Sequence, residues 1–281
     1  MSENEYISSA QRERAAAFLK MHREDGMFVI PNAWDAASAH IFEKMGFQAI
    51  ATTSAGIAYA LGYPDGEQVS LEDLLFVVRK ITNRVTVPVS VDFERGYGED
   101  PQAVKENARR LLEAGAAGFN LEDGQSDGKL SSIALQTAKI KALCELKQEL
   151  SLDFVINART CAYWLNIGSS EEMQREAITR GNAFADAGAD CIFVPGPMDR
   201  ETAQTLVQEI HAPLNLILNG VYHDFAGLRE LGVRRLSTGS GPVRYMLSEC
   251  IRTADSLKGG NADTVLACDF SYAKANAYFQ K

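Results

Sequence analysis

Residues 87–101, VPVSVDFERGYGEDP, run as a buried strand through Val87, Val89 and Val91 and then end on two carboxylates, Asp92 and Glu94. Gly96 and Gly98 flank Tyr97 directly behind them, a turn with little side-chain bulk to cover the acids and with backbone free to approach a ligand. Two further carboxylates stand in comparable places: Glu122 near the end of the strand-like GFNLED (118–123), and Asp65 in the loop that follows TTSAGIA. Like charges brought together need a cation, or some of them keep their protons. Oxygen ligands without a His or Cys cluster select a hard ion. Mg2+ keeps several waters and takes one or two carboxylates directly, which favours it, with Mn2+ second. Asp35 and Asp123 read instead as helix caps.

Arg159, in NARTCAYW, ends another strand. Two roles are open to it: pairing with the acids, or offering its planar fork to a substrate carboxylate. Ser54 and the amides around Ala55 and Gly56 could receive a second carboxylate. His22, His40, His211 and His223 fall in helical or αβ-side segments and read as surface or packing residues, and Cys161 and Cys191 as small buried hydrophobes.

The elements that must position these groups come from one recurring phrase: FEKMGFQAIATTS, LLEAGAAGFNLED, FADAGADCIFVPG and LRELGVRRLSTGS. Each ends a helix at a glycine (Gly46, Gly115, Gly188, Gly232) and starts an apolar strand two or three residues later. Four more strand-like runs, MFVIPN, PVSVDF, DFVINA and PLNLILN, lie between these joints. The reading is therefore an α/β chain of eight parallel strands alternating with helices, buried on both faces and closed as a (β/α)8 TIM-type barrel. No GxGxxG turn argues for an open dinucleotide-binding sheet. In such a barrel the strand ends collect function at one mouth: Asn32, Asp35, Ser54, Asp65, Asp92, Glu94, Glu122, Asn157, Arg159, Asn215 and Asn219 are placed there. Ser237-Thr238-Gly239-Ser240-Gly241, followed by Pro242, reads as a candidate anion site. Residues 1–257 are expected to form the barrel with an amino-terminal helix, and 258–281 a carboxy-terminal helical extension.

With 281 residues, 46% of them hydrophobic, one large core is feasible, and the net charge of −9 gives no general attraction for nucleic acid or an anionic membrane. An odd five cysteines without a CxxC pair argue against a disulfide framework or structural zinc, and a polar amino terminus against export. A cytoplasmic protein acting on a small molecule is expected.

Together, PNAWDAASA, TTSAGIA, LGYPD, VDFERGYG, GFNLED, NART and FADAGADCIFVP resemble the isocitrate lyase and phosphoenolpyruvate mutase superfamily over nearly the whole chain. The resemblance implies Mg2+ and a 2-oxo or 2-hydroxy acid substrate whose C–C or P–C bond is broken or made through a pyruvate-like enolate. It implies Asp92 as principal metal ligand, with Glu94, Asp65 and Glu122 completing the cluster through waters, Ser54, Ala55 and Gly56 receiving the substrate carboxylate, and Arg159 binding substrate. A homo-oligomer, a tetramer paired through exchanged C-terminal helices, is implied as well. Two departures stand out. The loop GQSDGKLSS (124–132) lacks the KKCGH or KRCGH cysteine of the lyases and the EDK pattern of the mutases, and ARTCA replaces the common ARTDA, putting Cys161 where an acid is usual. Lys129 is the one strong cation of that loop and its candidate proton donor, with Tyr97 next. Asn219 is assigned to substrate. The expected activity is Mg2+-dependent C–C cleavage of a small dicarboxylate, with phosphonopyruvate mutase or hydrolase chemistry, or non-catalytic oxo-acid binding, as alternatives.

Overall fold

The computed structural model describes residues 7–24 and 26–280. Residues 1–6, 25 and 281 lie outside it, and with them the start of the polar amino-terminal segment and the last residue of the carboxy-terminal extension. The strands are β1 (Phe28–Ile30), β2 (Asn32–Ala33), β3 (Ile50–Thr52), β4 (Val89–Asp92), β5 (Gly118–Glu122), β6 (Val155–Arg159), β7 (Cys191–Val194), β8 (Leu214–Ile217) and β9 (Arg235–Ser237). All ladders are parallel, in the order β1-β9-β8-β7-β6-β5-β4-β3-β2. The expected first strand is thus two pieces. Pro31 has no N–H to donate and splits it, yet its carbonyl still accepts the Ala51 amide at 2.9 Å. Because β1 pairs with β9 and β2 with β3, the two pieces close the TIM-type barrel.

Among the described residues twelve helices accompany the strands: α1 (Ser9–Arg23), α2 (Ala36–Lys44), α3 (Ser54–Leu61), α4 (Leu71–Thr82), α5 (Pro101–Glu113), α6 (Ile133–Leu150), α7 (Ser170–Asp186), α8 (Arg200–Glu209), α9 (Phe225–Leu231), α10 (Gly241–Lys258), α11 (Asp263–Leu266) and α12 (Tyr272–Phe279). None among the described residues is long and apolar enough to cross a membrane. The four joint glycines, Gly46, Gly115, Gly188 and Gly232, all take positive φ, 90 to 106°, which is what ends each helix and turns the chain into the next strand. In α5, Val104, Ala108, Leu111 and Leu112 form the buried stripe, and Asp100 caps the N-terminus ahead of Pro101. α1 closes the barrel floor: its Gln11 Nε2 donates to the carbonyls of Leu112 and Ala116, and Phe18 and His22 pack on Phe28. His22 is buried among apolar groups and near Arg235, which pulls it down to about 3 and keeps it neutral. After Lys258, α11 and α12 bring the chain back to α2, where Arg84 Nη2 and His40 Nε2 meet the Phe279 and Tyr278 carbonyls at 2.6 and 3.1 Å.

Beneath the mouth the barrel interior is polar. Ser90, Asn120, Asn157, Asn215 and Arg235 are each at most 3% exposed. Asn157 Nδ2 donates to Asn120 Oδ1 at 2.6 Å, and Ser237 Oγ donates to Asn215 Oδ1 at 3.1 Å. This corrects the placement of Asn157 and Asn215 at the mouth. Side chains alternate along a strand, so each sits one inward layer below the residue two positions on. Asp35 does cap α2, in a capping box with Ser38, but Asp123 caps nothing. Asp123 is fully buried, accepts the Cys161 amide at 2.7 Å and pairs with Arg180 at 3.1 Å.

Candidate active site

Asp92 ends β4 with its amide donating to Thr52 Oγ1 at 2.8 Å. Its Oδ2 accepts the amide of Ser54 at 3.1 Å, the first residue of α3, so the helix N-terminus faces a negative charge. Its Oδ1 is buried and has no protein partner. Gly56 in that first turn is sterically required, since a Cβ there would meet Thr53 Cγ2 at 2.5 Å and Trp34 Cβ at 2.9 Å. Beyond the strand, Glu94 and Tyr97 both take left-handed backbone, φ 49 and 53°. Glu94 Oε2 accepts the Glu67 amide at 2.5 Å, and Oε1 accepts the Tyr97 hydroxyl at 3.3 Å.

Glu67 was not among the sequence candidates, although it lies two residues past Asp65 in the same loop. It fixes the turn behind the acids: its carboxylate accepts the amides of Arg95 (2.9 Å) and Tyr97 (3.2 Å) and pairs with the Arg95 guanidinium at 2.7 Å. Lys139 of α6 completes the turn, its Nζ donating to the Arg95 and Gly98 carbonyls at 3.0 Å.

At the ends of the next two strands, Arg159 Nη1 pairs with Glu122 Oε2 at 2.7 Å. The guanidinium lies 5.4 Å from the Trp164 ring centre and 5.8 Å from that of Phe193, and its Nε is buried without a partner. Both roles left open for Arg159 are therefore compatible with its position: one edge is held by a site acid and another is free. Cys161 is buried, but it is also part of the site, with Sγ 3.8 Å from Glu122 Oε2. Burial pushes its thiol well above the ordinary range, so it is a protonated donor to that carboxylate.

A cavity of about 400 Å3 is lined by Ser54, Asp65, Glu94, Glu122, Arg159 and Cys161, with Gly124, Gln125 and Ser126 of the loop 124–132 at its edge. A second lobe of about 360 Å3 shares Asp65 and Trp164 with the first and is lined by Ala55, Tyr59, Leu218, Asn219, Ser240 and Arg244 among others. Arg244 was missed by the sequence reading, although it stands in the first turn of α10 just after the Ser240-Gly241-Pro242 run. Asn219 is at this second lobe, but its Oδ1 already accepts the amides of Val221 and Tyr222 at 2.9 and 3.1 Å. Lys129 is not brought to either lobe. The loop folds into a tight hairpin, with a Gly124–Leu130 bridge, that leaves Lys129 79% exposed and paired with Asp127 at 3.0 Å. Tyr97 meets the cluster through its hydroxyl bond to Glu94.

The model of the family described as phosphoenolpyruvate phosphomutase matches residues 18–258. The chain belongs to the isocitrate lyase and phosphoenolpyruvate mutase superfamily. An uncharacterised protein of Mycobacterium tuberculosis H37Rv is 34% identical over 87% of this chain and 90% of its own. The oxaloacetate decarboxylase of Bradyrhizobium sp. BTAi1 is 29% identical over 82% of this chain and 80% of its own. The crystal structure of a 2,3-dimethylmalate lyase of the superfamily aligns with a TM-score of 0.84 at 25% identity, covering 95% of each chain.

Within this superfamily barrel the electrostatics of the acids favour a cation. Burial first, and then the charges of Asp92 and Asp65, push Glu94 up to about 8. Burial pushes Glu122 up to about 7 against the opposing pull of Arg159, and burial and Asp92 raise Asp65. Among the described residues no three Asp, Glu, His or Cys side chains already converge as a metal cage. The set fits an ion that keeps its waters: one orphaned carboxylate oxygen on Asp92, further carboxylates beside it, and oxygen donors alone. Both glutamates bind protons in the metal-free fold that the unfolded chain, at 4.5, has released. The stability they contribute is full below pH 4.5 and is lost as pH rises through 7 and 8. Saturating Mg2+ is therefore expected to raise the melting temperature more at alkaline pH than in mild acid. Equal gains across a pH series of melts with Mg2+ or EDTA would refute this.

Proposed function

We propose that this protein is a Mg2+-dependent carbon–carbon lyase acting on a small 2-oxo or 2-hydroxy dicarboxylate. The observation that carries the reading is that the unpartnered Asp92 Oδ1 shares one electrostatic cluster with Arg159, whose Nε is also unpartnered and whose guanidinium lies near the rings of Trp164 and Phe193. Asp92 would hold the ion, with Asp65, Glu94 and Glu122 taking its waters, and when bound it would act as a Lewis acid toward the developing enolate. Arg159 orients the reacting carboxylate, and Ser54, Ala55 and Gly56 present the start of α3 to it. Glu67 and Tyr97 hold Glu94 by both oxygens, so it serves as a fixed acceptor. Glu122, raised toward neutrality, is the carboxyl we assign to holding the proton exchanged at the substrate oxygen. Arg244, which makes no ion pair among the described residues, stands in the second lobe where the other carboxylate of a dicarboxylate would reach. The loop 124–132 borders the cavity and would keep water from the enolate.

A Mg2+-supplemented screen of oxaloacetate, 2-alkylmalates, methylisocitrate and phosphonopyruvate tests the assignment, with pyruvate, glyoxylate and phosphate detected separately. Release of phosphate would replace it with P–C chemistry, and binding without turnover would replace it with a binding role.

The same reading includes self-association. Tyr245, Ile251, Leu257, Leu266 and Tyr272 of the last three helices are 68, 71, 51, 79 and 87% exposed, an apolar run suited to another copy of the chain. Light scattering at micromolar concentration is expected to give a multiple of 30.7 kDa; a monomer mass would count against it.

A further inference from the structure

Arg235, on β9, is the largest fully buried side chain among the described residues, and its guanidinium has no carboxylate of those residues within ion-pairing distance. Its Nη2 donates to Ser90 Oγ at 3.3 Å and lies 3.5 Å from Asn120 Oδ1, while Nε and Nη1 have no protein partner. From below, Phe18 of α1 places its ring centre 5.7 Å from the guanidinium carbon. The partners above it are telling. Ser90 is two residues before Asp92 on β4, and Asn120 two before Glu122 on β5, so Arg235 grips the inward layer directly beneath the acids of the site.

A buried, unpaired guanidinium is costly unless a field of opposite sign compensates it. The nearest such field is the acidic mouth. We propose that Arg235 is a positioning residue of the metal site, the fixed positive floor that sets its net charge and so its balance between cation and anionic substrate. Four carboxylates, Asp65, Asp92, Glu94 and Glu122, face two guanidiniums, Arg159 above and Arg235 below. Fully ionised, they leave two negative charges, which one divalent ion balances. Burial pulls Arg235 down only to about 10, so it is charged at neutral pH. Its neighbours from the surrounding strands and from α1, Ser90, Asn120, Asn157, Asn215, Cys191, Phe18 and His22, bring no other charge to that layer, His22 being neutral.

The inference rests on the proposed metal site, and titration calorimetry separates the two. Arg235→Met removes the charge and keeps much of the volume. It is expected to bind Mg2+ at least about ten-fold more tightly than the parent, and its Mg2+-loaded form to bind the oxalate dianion at least about ten-fold more weakly, from the loss of one unit charge some two strand residues below the site. Terbium luminescence should show the variant shifted toward the trivalent ion. Arg235→Lys should restore parent-like values. A purely structural role predicts the opposite sign for the cation, because a loosened β4 and β5 would weaken Mg2+ binding. Mg2+ affinity that falls or stays level in Arg235→Met, or Arg235→Lys behaving like Arg235→Met, would overturn the inference while leaving the metal site in place. A parent protein that binds no divalent ion would overturn both. Should Arg235→Met fail to fold, Arg235→Gln carries the same comparison with the hydrogen bond to Ser90 retained.

Discussion

Asp92→Ala is expected to lose at least about 10²-fold in turnover and about 10- to 100-fold or more in Mg2+ affinity, while melting at the parent temperature or above it. The two halves of this result have one cause. Asp92 contributes a buried oxygen with no protein partner, so its removal takes away a carboxylate oxygen available for a direct bond to the ion. The same removal relieves repulsion on Glu94 and Asp65, both of which Asp92 pushes up. Calorimetric Mg2+ titration, steady-state rates and a melt on one preparation check it. Parent protein that keeps its full rate in EDTA would refute the metal role outright.

Arg180→Met should cost about 3–5 kcal/mol of folding stability, the usual penalty for stripping the partner from a buried charge. Asp123 is 0% exposed, and Arg180 meets it at 3.1 Å while also donating to the Ser131 carbonyl at 2.8 Å. The same carboxylate accepts the amide of Cys161, the second residue after Arg159, so the loss should reach the site as a higher KM along with the lower stability. Urea denaturation measures the first effect and substrate saturation the second. A penalty under about 1 kcal/mol would mean that Asp123 is satisfied without its arginine.

The barrel was legible because its signals are local. Glycine after each helix and an apolar run after each glycine need no knowledge of distant residues, and all four such joints adopt the left-handed turn they predict. The acids could be named because strand ends in a barrel share one mouth. Depth was not legible. Asn157 and Arg159 differ by two positions and share an inward direction, and only the level at which the strand leaves the sheet decides that one is interior and the other in the site. Partners distant in sequence were also hidden: nothing around Asp123 in the chain points to Arg180, and Glu67 reads as an ordinary loop acid until its bonds to Arg95 and Tyr97 are seen. Lys129 was singled out by composition, as the one strong cation in its loop, and composition carries no direction.

The break at Pro31 gives the barrel a seam. On one side of it three residues of β1 ladder with β9, and on the other two residues of β2 ladder with β3, whereas β5 and β6 pair over five residues. Asn32 acts as a clasp across the gap, its Oδ1 accepting the amides of Thr238 and Gly239 at 2.9 Å and its Nδ2 reaching the Thr52 carbonyl at 2.7 Å. A cylinder stitched this unevenly does not loosen uniformly: it unzips. Amide hydrogens of Phe28, Ala51 and Thr53 should exchange with solvent ahead of those in β5 and β6, through sub-global opening along this line. The slit would run beside the first turn of α3, making the carboxylate-facing helix the first part of the mouth to register an excursion of the barrel wall.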